Sequence, residues 1–128
     1  MNLRYTLIAL FLLLVTLLAA ISVQGYISDT CQESADAIAD IRLQARCGQF
    51  SACVDRLEAL TAMFNDRKIV FAIALNHSYL DSILSSLGSA TICAQFEDLQ
   101  SLEAELASAA FAVNSLAARD RPTLGNIF

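Results

Sequence analysis

Between Tyr26 and Arg121 the chain has no proline and two glycines, Gly48 and Gly88. Gly and Pro are the strongest local interrupters of regular structure. A stretch this long with so few of them has little room for the turns of a sheet. No segment alternates apolar and polar residues for long, so the pattern predicts an all-α fold. The two glycines mark out three helical blocks.

The first block is Cys31–Cys47. Thr30 and Glu33 have the spacing of a capping box, in which each side chain satisfies the other's backbone N–H. Ala35, Ile38, Ile41 and Ala45 fall on one helical face, and Gly48 stands where a left-handed residue would end the helix. The second block runs from Ser51, an N-cap candidate, to Leu87. Its first stripe is Cys53, Leu57, Leu60 and Phe64. Its second is Val70, Ile73, His77, Leu80, Leu84 and Leu87. Asn65-Asp66 lies between them, and such side chains compete for backbone hydrogen bonds, so a kink or break is expected there. Gly88 is expected to close this block. The third block runs from Ser89 to about Ala118, with Leu99, Leu102, Leu106, Ala109, Val113 and Leu116 as a heptad-like seam. Pro122 ends any helix, and the tail 122–128 is expected to fray. The apolar run Ile69–Leu75 reads as buried helix because helical pattern continues on both sides. No internal repeat is visible.

The N-terminus has a different character. Arg4 precedes an apolar run, Leu7–Val23, and Gln24-Gly25 comes directly after it. A basic start, an apolar centre and a small residue at the end read as a secretory signal peptide over 1–25, cut before Tyr26, with Ala20-Ile21-Ser22 as a second site. An uncleaved anchor is the alternative, since the run is near the shortest length that spans a bilayer. Eighteen of the chain's apolar residues lie in 1–25 and account for much of its mean hydropathy of +0.54. The remaining stretch, 26–121, is room for one domain. Without Arg4 the formal charge moves from −5 to −6. An acidic chain lacks the basic face that phosphate neutralisation needs, so nucleic acid is not expected as a partner.

Four cysteines behind a signal peptide predict disulfides, with three connectivities open. No pair has the spacing of a zinc site, and His77 is the only histidine, so no metal or other cofactor is expected. Cys31 and Cys47 would lie roughly 24 Å apart along an intact helix, too far for a bridge. Joining Cys31 to Cys53 would force the short segment 47–53 back along the first helix. Cys47–Cys53 with Cys31–Cys93 suits an up-down-up bundle, one bridge at each end.

Candidate chemistry is sparse. His77 with Ser78 and Asp81 lies on one helix and lacks the oxyanion donors of a hydrolytic site. Asn76-His77-Ser78 is an N-x-S sequon, which makes Asn76 a candidate glycosylation acceptor. Arg67-Lys68 reads as a solvated corner rather than a processing site. Glu97/Asp98 and Glu103/Glu105 read as a solvated helix face. No phosphate loop, Cys–His dyad or calcium loop occurs. The protein is therefore expected not to be an enzyme.

The segment Cys47-x5-Cys53, followed by Asn76-His77-Ser78-Tyr79 and then Cys93, resembles part of the tsetse EP-type family over about 47–93. The resemblance implies a small secreted helical protein with cysteines. The chain lacks further cysteines expected in that region, and no functional residue carries over.

These readings converge on a secreted, extracellular, disulfide-bridged bundle of three long or four shorter helices, with no stable membrane insertion once the leader is removed. Its expected role is to carry a small apolar ligand, with Phe64, Phe71, Phe96 and Phe111 as contacts. The alternative is an extracellular protein that binds another protein or itself. The sequence leaves the oligomeric state open.

Overall fold

The computed structural model describes residues 2–74 and 77–120. It contains α1 (Asn2–Arg46), α2 (Phe50–Asp66), α3 (Lys68–Ala74), α4 (His77–Gln95) and α5 (Leu99–Asp120), with no strand among the described residues. The all-α expectation holds, with five helices among the described residues.

The expected stripes build the core. Cys53, Leu57, Leu60 and Phe64 are all buried on α2, as are Leu102, Leu106, Ala109, Val113 and Leu116 on α5. On α1 the buried line is Cys31, Ser34, Ile38, Ile41 and Ala45; on α4 it is Leu80, Ile83, Leu87, Ala90 and Ala94. Ile83 thus takes the place expected for Leu84, and Leu99 stays largely outside. Spacings alternate between three and four throughout, the repeat that keeps one seam of a helix facing its neighbours in a coiled-coil bundle. Of the four longer helices, α1 packs on α2 and α5, and α4 packs on α2 and α5; the short α3 touches α1, α2 and α4. The chain reverses at 47–49 and at 96–98, and α4 packs back along α2, giving an up-down-up-down four-helix bundle in which α3 prolongs α2. Ser34 is buried, and its hydroxyl donates to the Thr30 carbonyl at 2.7 Å, so no polar group is stranded there.

Two turns at one end of the bundle share one geometry. At the first, Gly48 N–H donates to the Ala45 carbonyl and Gln49 N–H to that of Gln44, both at 3.0 Å. At the second, Glu97 N–H donates to Ala94 at 3.1 Å and Asp98 N–H to Cys93 at 3.0 Å. Both are Schellman closures, which need a left-handed residue. Gly48 has φ 76° and Glu97 has φ 55°. Asp98 then starts α5, its Oδ1 accepting from Ser101 N–H at 3.2 Å.

Gly48 and Glu97 stand 49 positions apart, and the offset runs through the bundle. Each buried residue from Cys31 to Ala45, and from Cys53 to Phe64, has a buried counterpart 49 positions later, from Leu80 to Ala94 and from Leu102 to Val113. The bundle is thus two copies of one helical hairpin. The copies share almost no residue identities; only Ala45/Ala94 and Leu57/Leu106 match among those core pairs. The repeat invisible in the sequence is therefore a repeat of burial pattern.

Several boundaries differ from expectation. Gly88 lies inside α4, and the break falls at Phe96–Asp98. Thr30 caps no helix start, because α1 runs unbroken from the apolar leader into the bundle. Neither Ser51 nor Ser89 is an N-cap: Gln49 precedes α2, and Ser89 is within α4. The break expected at Asn65-Asp66 is present, one residue on, at Arg67.

Candidate functional site

The end opposite the two turns, where α1 leaves the bundle, holds a polar cluster built on Arg67. Arg67 follows Phe64 at the spacing of the α2 stripe, and its counterpart in the second hairpin is the buried Leu116. The chain puts a guanidinium where a core leucine would stand. Its Nη1 donates to the buried Thr30 Oγ1 at 2.8 Å and to Glu33 Oε2 at 3.4 Å. The guanidinium carbon lies 5.4 Å from the centre of the Tyr26 ring, a cation–π contact. The helical ladder continues across Arg67: its N–H donates to Met63 at 3.1 Å, and Phe71 N–H donates to Arg67 at 3.3 Å. α3 therefore extends α2 beyond a kink. Phe71 is buried and meets Phe64 edge to face, ring centres 6.1 Å apart. Ile69 is 75% exposed, and Lys68 is exposed beside it. Arg67 is therefore not a solvated corner, as only Lys68 of the pair is exposed; a charged residue on an otherwise apolar stripe is the signal in the sequence that marks it as a core-end residue.

The cysteines do not form the expected bridges; no disulfide joins any of the four. Cys47 is exposed in the first turn, whereas Cys53 is buried and its thiol donates to the Ile41 carbonyl at 3.5 Å. The two side chains point to different environments. Cys31–Cys93 fails for a topological reason. The long second block folds back on itself, so α4 ends at the turn end of the bundle with Cys93, while Cys31 lies near the other end. About 20 Å of helix separates those levels. Burial pushes the Cys53 thiol above its usual range, with Arg56 opposing. Burial and the carboxylates of Asp98 and Glu105 raise Cys93. Neither has the lowered pKa of a reactive thiol.

The other singled-out residues do not converge. Asn76 and the His77 side chain lie outside the described residues, so the sequon and the His77–Ser78–Asp81 grouping stand as sequence readings. Of the four phenylalanines, Phe64 and Phe71 pack on each other in the core. Phe96 and Phe111 are 80% and 75% exposed, on the second turn and on α5. They line no common chamber. The depressions between helices open to solvent and hold about 240–390 Å³. Glu103 is not a bare solvated carboxylate: it accepts from Arg42 at 3.3 Å and Arg46 at 3.2 Å, tying α5 to α1. Among the described residues, no group of three or more His, Cys, Asp or Glu is placed to hold a metal ion.

The second large feature is the free half of α1. Its large apolar side chains, from Leu3 to Ile21, are 47–72% exposed. Among the described residues no other helix covers its most apolar stretch, and the helix is long and apolar enough to cross a membrane or to serve as a signal sequence.

A family profile described as a domain of unknown function, DUF4363, matches residues 21–127. The chain belongs to the DUF4363 family. The DUF4363 match begins inside the apolar run and takes in every helix of the bundle. It carries no activity with it, and it does not bear on the tsetse EP-type resemblance. No curated protein and no solved structure matches this DUF4363 chain.

Proposed function

We propose that this DUF4363 protein is a non-enzymatic helical bundle held at an extracytoplasmic membrane face by the apolar half of α1, and that it acts by binding another protein. The observation that carries the reading is the continuity of α1. A row of apolar side chains with no protein cover runs without a break into a helix of the bundle core. Lipid is the environment that covers such a row at least cost, because water would have to solvate it along its whole length. Arg4 precedes the run, and no Lys or Arg occurs after it until Arg42. The positive-inside tendency then leaves the N-terminus in the cytoplasm and the bundle outside.

The binding role rests on the α4–α5 hairpin. Asp81 is the single Asp, Glu, Lys or Arg in α4, and none occurs from Leu106 to Ala118 in α5. Ile92, Phe96 and Phe111 are exposed on this hairpin. Exposed apolar groups on a surface poor in charge favour a protein contact. The carrier reading has weaker support, because the four phenylalanines do not face one space.

Secretion after cleavage before Tyr26 is the second reading, favoured by Val23-Gln24-Gly25 and by a core that begins at Ile27. Mass spectrometry of the expressed chain, in membrane and medium fractions, separates the two. An intact leader in a fraction that resists alkaline extraction supports the anchor. A chain starting at Tyr26 in the medium overturns it and supports secretion. The binding role is tested by crosslinking in native membranes: Phe111→Asp should abolish an adduct that the unmodified chain forms.

A further inference from the structure

We propose that α3 is a second membrane-contacting element, seated at the headgroup–acyl boundary of the bilayer that holds α1; this rests on the anchor reading above. Height along the bundle places it there. Gln49, in the first turn, is 22 positions from Ile27 on α1 and 22 positions from Phe71 on α3. Both are buried, and α3 packs on α1. The two residues therefore share a level, and residues 68–74 run antiparallel beside α1 residues 24–30. Val23, the last residue of the apolar run, is about 6 Å above Ile27 at the rise of an α-helix. The headgroup layer of one leaflet is about 5–8 Å thick. α1 has no joint between Val23 and Ile27, so α3, level with residues 24–30 and about 2–10 Å beyond Val23, is held across that layer with its Lys68 end outermost.

Its sequence suits the depth. Ile69-Val70-Phe71-Ala72-Ile73-Ala74-Leu75 is the longest apolar run outside the leader, yet only Phe71 among its described side chains is in the core. Ile69 points away from the bundle at 75% exposure, with Lys68 exposed next to it. An apolar side chain turned toward the headgroup layer beside a cation that reaches lipid phosphate is the pattern of an interfacial helix.

The chain has no tryptophan, so a single introduced one reports its own surroundings. Full-length Leu13→Trp, Ile69→Trp and Ile92→Trp chains would be reconstituted in phosphatidylcholine vesicles with ordinary or brominated acyl chains. All three positions are exposed apolar residues, and thermal melts check that each variant folds. The expected result is quenching by brominated lipid for Leu13→Trp and Ile69→Trp, with Ile92→Trp, near the far end, quenched only by aqueous acrylamide. Adding Lys68→Glu to Ile69→Trp should reduce the lipid quenching. If Leu13→Trp is quenched by lipid and Ile69→Trp only by acrylamide, the α3 proposal is overturned while the anchor stands. Equal lipid quenching of Ile69→Trp and Ile92→Trp would mean general adsorption of the bundle and also overturns it. An unquenched Leu13→Trp overturns the anchor itself and α3 docking with it.

Discussion

Gly48 and Glu97 occupy the same point of two equivalent turns, one 49 positions after the other, both with left-handed backbone. A β-carbon at Gly48 would meet nothing within 4 Å, so any effect of substitution there is conformational. Gly48→Ala should destabilise the bundle by about 1–2 kcal/mol, the strain of a left-handed L-residue. Glu97→Gly should relieve that strain and stabilise by about 0.5–1 kcal/mol after the entropy of the unfolded glycine is set against it. Urea unfolding of both variants checks the opposite signs.

Gly88 makes the complementary case. It sits inside α4, has no positive φ, and has open space where a β-carbon would go. Gly88→Ala should therefore raise stability by about 0.5–1 kcal/mol, the difference in helix propensity. A lower midpoint in urea would show that the α4 surface there is occupied.

Arg67 is held by Thr30, Glu33 and the Tyr26 ring. Arg67→Ala leaves the Thr30 hydroxyl buried without its donor and should cost about 1–3 kcal/mol. Arg67→Leu places at this position the residue type found at its counterpart, Leu116, and should lose less. Thermal denaturation of the pair measures the difference.

Acid should weaken the link between α1 and α5. Burial alone would raise the Glu103 carboxyl, but hydrogen bonds and charge from Arg46 and Arg42 outweigh it and hold it below the usual range for a glutamate. Asp98 is held below the usual range for an aspartate, chiefly by its bond with Ser101. A carboxyl lowered on folding contributes its stability above its unfolded pKa and loses it as pH falls through the folded one. The melting temperature should hold down to about pH 5 and fall below it. Glu103→Gln should melt lower at neutral pH and lose less on acidification.

Thiol accessibility should track burial rather than sequence order. In the folded chain a maleimide should modify Cys47 first, with Cys53 and Cys31 protected until unfolding and Cys93 between them. Uniform labelling by mass spectrometry would contradict the placement.

The stripes Cys53–Phe64 and Leu102–Leu116 are legible in the sequence because every member is apolar and the seam recurs at about 3.5 residues. Gly48 is legible because glycine is the residue that a left-handed turn favours. The second turn is hidden because the chain uses Glu97 there, at a cost in strain, while Gly88 is tolerated within a helix. Asp98 with Ser101 three residues on is the capping signal that points to the right place. The disulfide expectation fails for a different reason: the second block, read as one helical stretch, reverses between α3 and α4, and that reversal carries Cys93 to the turn end of the bundle, away from Cys31. Arg67 is legible as a charge on an apolar stripe, but its partners are not, because Thr30 and Tyr26 are far from it in sequence.

The seamless passage of α1 from free helix to bundle also fixes what the protein can reach. From Ile27 to the first turn is about 33 Å of helix. With one end set in a bilayer, the bundle becomes a stiff post without a swivel: its turns stand at a set height and each side faces a set direction about α1. Rotation or tilt of α1 within the lipid would turn the α4–α5 face by the same angle. A partner would meet that face at one height and bearing, rather than search for it at the end of a tether.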